Sequence, residues 1–235
     1  MHNYFHRYVS HGQKVSPYLP SNFIPLFDGH DRKWFNLKES ENETEIFIYD
    51  EISWWGITAD DLVSTIVGIE ADNITVRINS PGGSVFDGLA ITNALRTHPA
   101  NITTVNDSLA ASIASIIMMA GDQRKAQNNS MMMIHNAWGI AIGDHHEMSK
   151  TAALLEKITG TLADEYARYS NEDASYFLNA MDNEAWLSAQ ESSDLGLVTE
   201  VLNAESEGIT DSADKAIVQN TLRQQKLNLF ERLLA

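Results

Sequence analysis

The stretch NITVRINSPGGSVFDGLAITNALRTH, residues 73–98, decides how the rest of the chain reads. NITVRIN is a strand, SPGG a turn, and from Ser84 onward a helix follows, with Ser84 as its N-cap and Asp87 in support three residues later. The same unit recurs on both sides. Upstream, NETEIFIYD (42–50) alternates as a strand, with Ile46 and Ile48 on one face and Phe47 and Tyr49 on the other. After the turn-like EISWWG, TADDLVSTIVGI (58–69) opens a helix with Thr58 and Asp61 in capping-box spacing. Downstream, NITTVN (101–106) is a strand, VNDSLAASIASIIMMAG (105–121) a helix with NDS as its capping region, and NSMMMIH (129–135) a short buried strand. Strands and helices alternating at this length predict an α/β fold whose crossovers return to a parallel sheet.

Beyond that core, Asp144 to Tyr169 carries a long helical pattern, with Met148, Ala152, Leu155, Ile158 and Leu162 at spacings of three and four. It exceeds what a small core requires, which predicts a projecting helix and an assembly surface. NEDASYFLNAM (171–181) is a further helix, SAQESSDLG (188–196) a short one capped by Ser188 and Glu191 and ended by Gly196, and LVTEVL (197–202) closes the sheet. Residues 1–30 read as an irregular arm, 31–202 as the domain, and 203–235 as a polar linker followed by an amphipathic helix.

The 235 residues, 43% hydrophobic and 20% charged, suffice for one sizeable core. A net charge of −16 argues against nucleic acid and anionic membrane as partners, because both are held by clustered Lys and Arg. Without cysteine there is no disulfide scaffold and no thiolate metal site. The opening MHNYFHRYVSHGQ has no apolar core of the secretory type, and the apolar run 109–120 falls short of the ~20 residues that span a bilayer. The expectation is a soluble cytoplasmic protein.

Chemistry gathers at three points. The Pro81-Gly82-Gly83 turn presents backbone N–H groups at a chain reversal and lets an oxyanion approach closely. A helix starting near Ser112 leaves the N–H of Ile113 as an unpaired first-turn donor beside the Ser112 hydroxyl, whereas Ser115, one turn further in, is expected to bond back to a carbonyl. His135 ends a strand, where its ring can face a cleft. A turn of free amides, a serine at a helix start, a histidine at a strand end and acids further on form the kit for acyl transfer.

INSPGGSVFDGLAI, SLAASIAS, MMIHNAW and WLSAQESSDLGLV, in this order and spacing, resemble the caseinolytic Clp-type (ClpP-like) serine peptidases, and most of all their phage and prophage branch of head-maturation proteases. The resemblance covers about residues 45–202 and implies a ClpP/crotonase-like fold of repeated ββα units with a projecting handle helix. It implies Ser112 as nucleophile, His135 as general base, and Gly83 and Ile113 as the oxyanion hole. The triad acid falls on Glu184, two residues before Trp186, in place of the family's usual Asp; Asp182 and a dyad without an acid are the alternatives. The handle implies a homo-oligomer of stacked rings acting on protein or peptide substrates, and no cofactor or metal is implied. Residues 1–44 do not resemble the family's gate-forming loops, and NAWGIAIG (136–143) replaces its Gly-rich substrate-binding strand. The resulting expectation is a capsid-maturation protease that cuts scaffold or capsid precursor without an unfoldase. A degradative subunit fed by an ATP-dependent unfoldase, and an inactive ClpP-like assembly module, are the alternatives.

Two further signals read as structure. In GDHHE the adjacent His145 and His146 do not share a helix face as metal ligands must, and Met118, Met119 and Met131 to Met133 are packing material.

Overall fold

Parallel strands need long crossovers, and the chain supplies them as helices on a single eight-stranded sheet. The computed structural model describes residues 35–39, 42–53 and 56–202; the arm, the 203–235 tail, Trp54 and Trp55 lie outside them. The elements run β1 (Phe35–Glu39), β2 (Glu43–Ile48), α1 (Ala59–Val67), β3 (Asn73–Ser80), α2 (Val85–Thr97), β4 (Asn101–Ala111), α3 (Ile113–Met118), β5 (Gln123–Gln127) and β6 (Met131–Ile134). Then follow α4 (His145–Ala167), α5 (Ala174–Asp182), β7 (Ala185–Ser188), α6 (Ala189–Asp194) and β8 (Glu200–Leu202). The sheet order is β1-β2-β3-β4-β5-β8, with β6 branching from β4 and β7 added antiparallel to β6.

Local chemistry sets the helix starts. The Thr58 and Ser84 side chains accept from the N–H groups of Asp61 and Asp87, and Ser188 with Glu191 forms a full capping box. Hydrogen bonds donated by the Ser188 hydroxyl and N–H hold the Glu191 carboxyl below the usual carboxylate range, because they favour its charged form. The core lies between the sheet and α1 to α3: Ile46, Ile48, Ile74, Val76 and Ile78 from β2 and β3 meet Leu62, Ile66, Ile91 and Leu95.

β4 corrects the sequence reading. Residues 105–111 belong to the strand, and the helix is confined to Ile113–Met118. The reason is tertiary: β4 pairs with β5 through Thr103 to Asn106 and then with β6 through Leu109 to Ala111. Between the pairs Ile78↔Asn106 and Ser80↔Ala110 it also advances four residues against two of β3, a bulge that turns it from one partner to the other. Asp107 is therefore not a cap. Its carboxylate is held by the Arg77 guanidinium and accepts from the Tyr49 hydroxyl at 2.5 Å. Burial, with Asp107 alongside, pushes the Tyr49 hydroxyl up to about 12. Nor does the Ser112 side chain cap α3. The strands β1, β5 and β7 lie where no strand was expected from sequence.

The long helix α4 spans His145–Ala167 with Asp144 as N-cap. Only its C-terminal part is buried, through Thr159, Leu162, Ala163 and Tyr166, and its N-terminal half projects. No helix among the described residues is long and apolar enough to cross a membrane.

Gly88 lets α2 ride against α3, since a Cβ there would collide with Cγ1 of Ile113. Gly88→Ala should therefore cost about 1–3 kcal/mol of stability by overpacking, read as a lowered denaturation midpoint; an unchanged midpoint would refute this contact.

Candidate active site

The fork in β4 delivers three separate chain segments to one place. β6 runs parallel to β4 in the register Ala111↔Met133, so the residues that follow both strands emerge at the same end of the sheet. Ser112 stands there at φ 54, ψ −130, a left-handed backbone that a side-chain-bearing residue adopts at a cost of roughly 1–3 kcal/mol. Its N–H donates to the Met133 carbonyl at 2.8 Å, which fixes the strained residue to β6. His135 follows two residues after Met133, and its Nε2 lies 2.8 Å from Ser112 Oγ.

The glycine turn closes the other side. The Ile52 N–H donates to the Gly82 carbonyl, and the Ser84 N–H donates to the Ile52 carbonyl, pinning the turn to the segment before α1. Gly82 at φ 90 and Gly83 at φ 144 have conformations that favour glycine. A Cβ on Gly82 would stand 2.7 Å from the Ser112 Cβ, so only a hydrogen fits between the turn and Ser112. Gly82 N–H donates to Ser80 Oγ at 3.1 Å, whereas the N–H of Gly83 has no acceptor among the described residues. Ile113, the first residue of α3, has no intrahelical acceptor for its N–H either. Both line the same open cleft of about 850 Å³ as Ser112 and His135.

Glu184 reaches this cleft through the antiparallel pairing of β6 with β7. The last pair is Ile134↔Ala185, so Glu184 and His135 adjoin the same end of this ladder. Glu184 occupies a left-handed φ of 48 at this junction, and its Oε1 accepts from the Trp186 indole N–H at 3.2 Å. Asp182, the last residue of α5, accepts from Asn136 Nδ2 at 2.7 Å. Both carboxylates line the cleft, and neither is hydrogen-bonded to the His135 ring.

Ser115 is wholly buried. Its hydroxyl donates to the Ser112 carbonyl, as its helical position suggested, and a second contact joins it to the Tyr166 hydroxyl at 2.7 Å. Tyr166, with Met133, Leu162, Met181 and the exposed Trp138, lines the cleft and was not singled out from sequence. The available signal was its place four residues after Leu162 on the stripe of α4 that enters the core. At the opposite end of β4 a smaller cavity of about 410 Å³ holds Arg96, Arg124 and Tyr169. There the Arg124 guanidinium donates to the carbonyls of Gly121, Gly196 and Leu197, a structural role.

A serine hydroxyl in contact with an imidazole, beside two free amides at a strained turn, is the reagent set of a serine hydrolase. The model of the family described as Clp protease matches residues 30–205. The ATP-dependent Clp protease proteolytic subunit of Bacteroides thetaiotaomicron is 30% identical over 84% of this chain and 97% of its own length. The subunit of that name from Bacteroides fragilis is 33% identical with the same coverage, and that of Pleurastrum terricola 28% identical over 77% of this chain and 94% of its own. The chain belongs to the Clp protease family, and is a hydrolase of the serine-peptidase type.

Because a Cβ on Gly83 would run into the Ile52 carbonyl, Gly83→Ala must displace the turn and its free N–H. Fluorophosphonate labelling of Ser112 should slow at least about tenfold in this variant, with the far-UV circular dichroism retained. Labelling at the wild-type rate would show that the turn takes no part.

Proposed function

We propose that the chain is an endopeptidase that cleaves through an acyl-enzyme on Ser112, working as the proteolytic subunit of a homo-oligomeric, ATP-fed Clp machine. The observation that carries the chemistry is the 2.8 Å contact of His135 Nε2 with Ser112 Oγ. His135 takes the Ser112 proton as the oxygen attacks a peptide carbonyl, the N–H groups of Gly83 and Ile113 receive the developing oxyanion, and His135 returns the proton to the leaving amine. Water, activated by the same ring, then releases the acyl group.

For the orienting acid we infer Glu184, because it and His135 both adjoin the last β6–β7 pair, Ile134↔Ala185. A carboxylate there fixes the tautomer with the proton on Nδ1 and the acceptor on Nε2 toward serine. The Asp182 carboxylate already serves Asn136. Ser112→Ala should abolish peptide cleavage and fluorophosphonate labelling. Glu184→Gln should lower kcat about 10²- to 10⁴-fold while Asp182→Asn stays within about threefold; the reverse ranking would move the acid to Asp182.

The degradative role is supported by relatives that are named as ATP-dependent proteolytic subunits and are covered over nearly their whole length. The capsid-maturation role has no counterpart in those names. The two part experimentally: degradation of a folded protein only with ATP and a cognate unfoldase is expected, whereas unaided cutting of a phage scaffold protein would favour maturation instead.

A further inference from the structure

The Ser112 carbonyl and the Ile113 N–H belong to one peptide unit. A trans peptide is planar and points these two groups in opposite directions, so whatever anchors the carbonyl also aims the N–H. Here the carbonyl accepts from the Ser115 N–H at 3.0 Å and from the Ser115 hydroxyl. A hydroxyl has one proton, and that of Ser115 is committed to the carbonyl; the 2.7 Å contact with Tyr166 is therefore a bond in which the tyrosine donates. The protons run in one direction, from Tyr166 to Ser115 to the Ser112 carbonyl. Ser115 is fully buried and Tyr166 only 2% exposed, so water does not compete along the chain. Burial also pushes the Tyr166 hydroxyl well above its ordinary value, keeping it a donor.

We propose that Ser115 and Tyr166 are positioning residues for the oxyanion hole, clamping the Ser112–Ile113 peptide from behind so that the Ile113 N–H is held toward the cleft. The clamp has work to do because Ser112 sits in a backbone conformation from which its peptide would otherwise rotate. It also ties α4, through Tyr166, to the first turn of α3, so that displacement of the projecting helix is felt at the donor. Neither side chain touches the reacting atoms.

The inference rests on Ser112 being the nucleophile, and the test separates the two. A fluorophosphonate places its phosphoryl oxygen where an oxyanion would lie, so labelling of the full chain should be followed as a function of probe concentration to give kinact and KI. Ser115→Ala should lower kinact about three- to tenfold and Tyr166→Phe about two- to fivefold, with KI within about twofold of wild type. The double variant should fall no further than Ser115→Ala, because the two bonds act as one chain. Thermal midpoints identify the labelling window in which every variant is folded. Unchanged kinact in both single variants, losses confined to KI, or losses that multiply in the double variant would overturn the proposal. Undiminished labelling of Ser112→Ala would instead overturn the assignment of the nucleophile.

Discussion

On the edge away from β3, one strand, β4, serves two neighbours. β4 begins beside β5 and ends beside β6, and the bulge against β3 lets it change partner without breaking the sheet. Were β4 paired with β5 along its whole length, β6 would have no place beside Ala111. Because β6 is instead drawn onto the last three residues of β4, Ser112 and His135 leave the sheet side by side. The antiparallel strand β7 then extends the same branch and brings Glu184 along. The side of the candidate site made by Ser112, His135 and Glu184 is thus a property of the branch, while β3 of the main sheet leads into the glycine turn and the packed helices provide the rigid backing.

That backing matters because the site holds unfavourable conformations. Ser112 and Glu184 are the two non-glycine residues with positive φ among the described residues, and both stand in the cleft. Such conformations persist when neighbours over-determine them. For Ser112 those neighbours are the Met133 carbonyl on one side, the Ser115 groups on the other, and a wholly buried α3 behind. Glu184 is held more loosely, between the end of α5 and the start of β7, with an exposed indole as its partner.

What could be read from the sequence follows the range of the forces involved. The starts of α1, α2 and α6 were legible because Thr58, Ser84 and Ser188 bond to amides three residues away. The α/β class was legible from the alternation of elements, and family motifs carried the site residues by resemblance. Residues 107–111 were misread because their small and apolar side chains suit a helix as well as a strand, and pairing with β3 and β6 decides. QRKAQ (123–127) was missed since it is polar on its face, with Arg124 buried by carbonyls that come from residues 72 and 73 positions away or from its own turn. The left-handed backbone of Glu184 and the hydrogen bond that Tyr166 donates have no local signature, although the positions of both residues do: each property is defined by tertiary neighbours.

The segment after His135 gives the site a dual surface. Trp138, Ile140 and Ile142 are 74, 82 and 81% exposed, and Trp138 is also a wall of the cleft. Apolar surface exposed in this way orders water, so its burial would contribute favourably to any association that covers the segment. The coverage cannot be independent of the entrance, because one indole belongs to both. The Trp138 indole therefore belongs to two surfaces at once, the wall of the cleft that holds Ser112 and the apolar stretch that Ile140 and Ile142 continue into solvent.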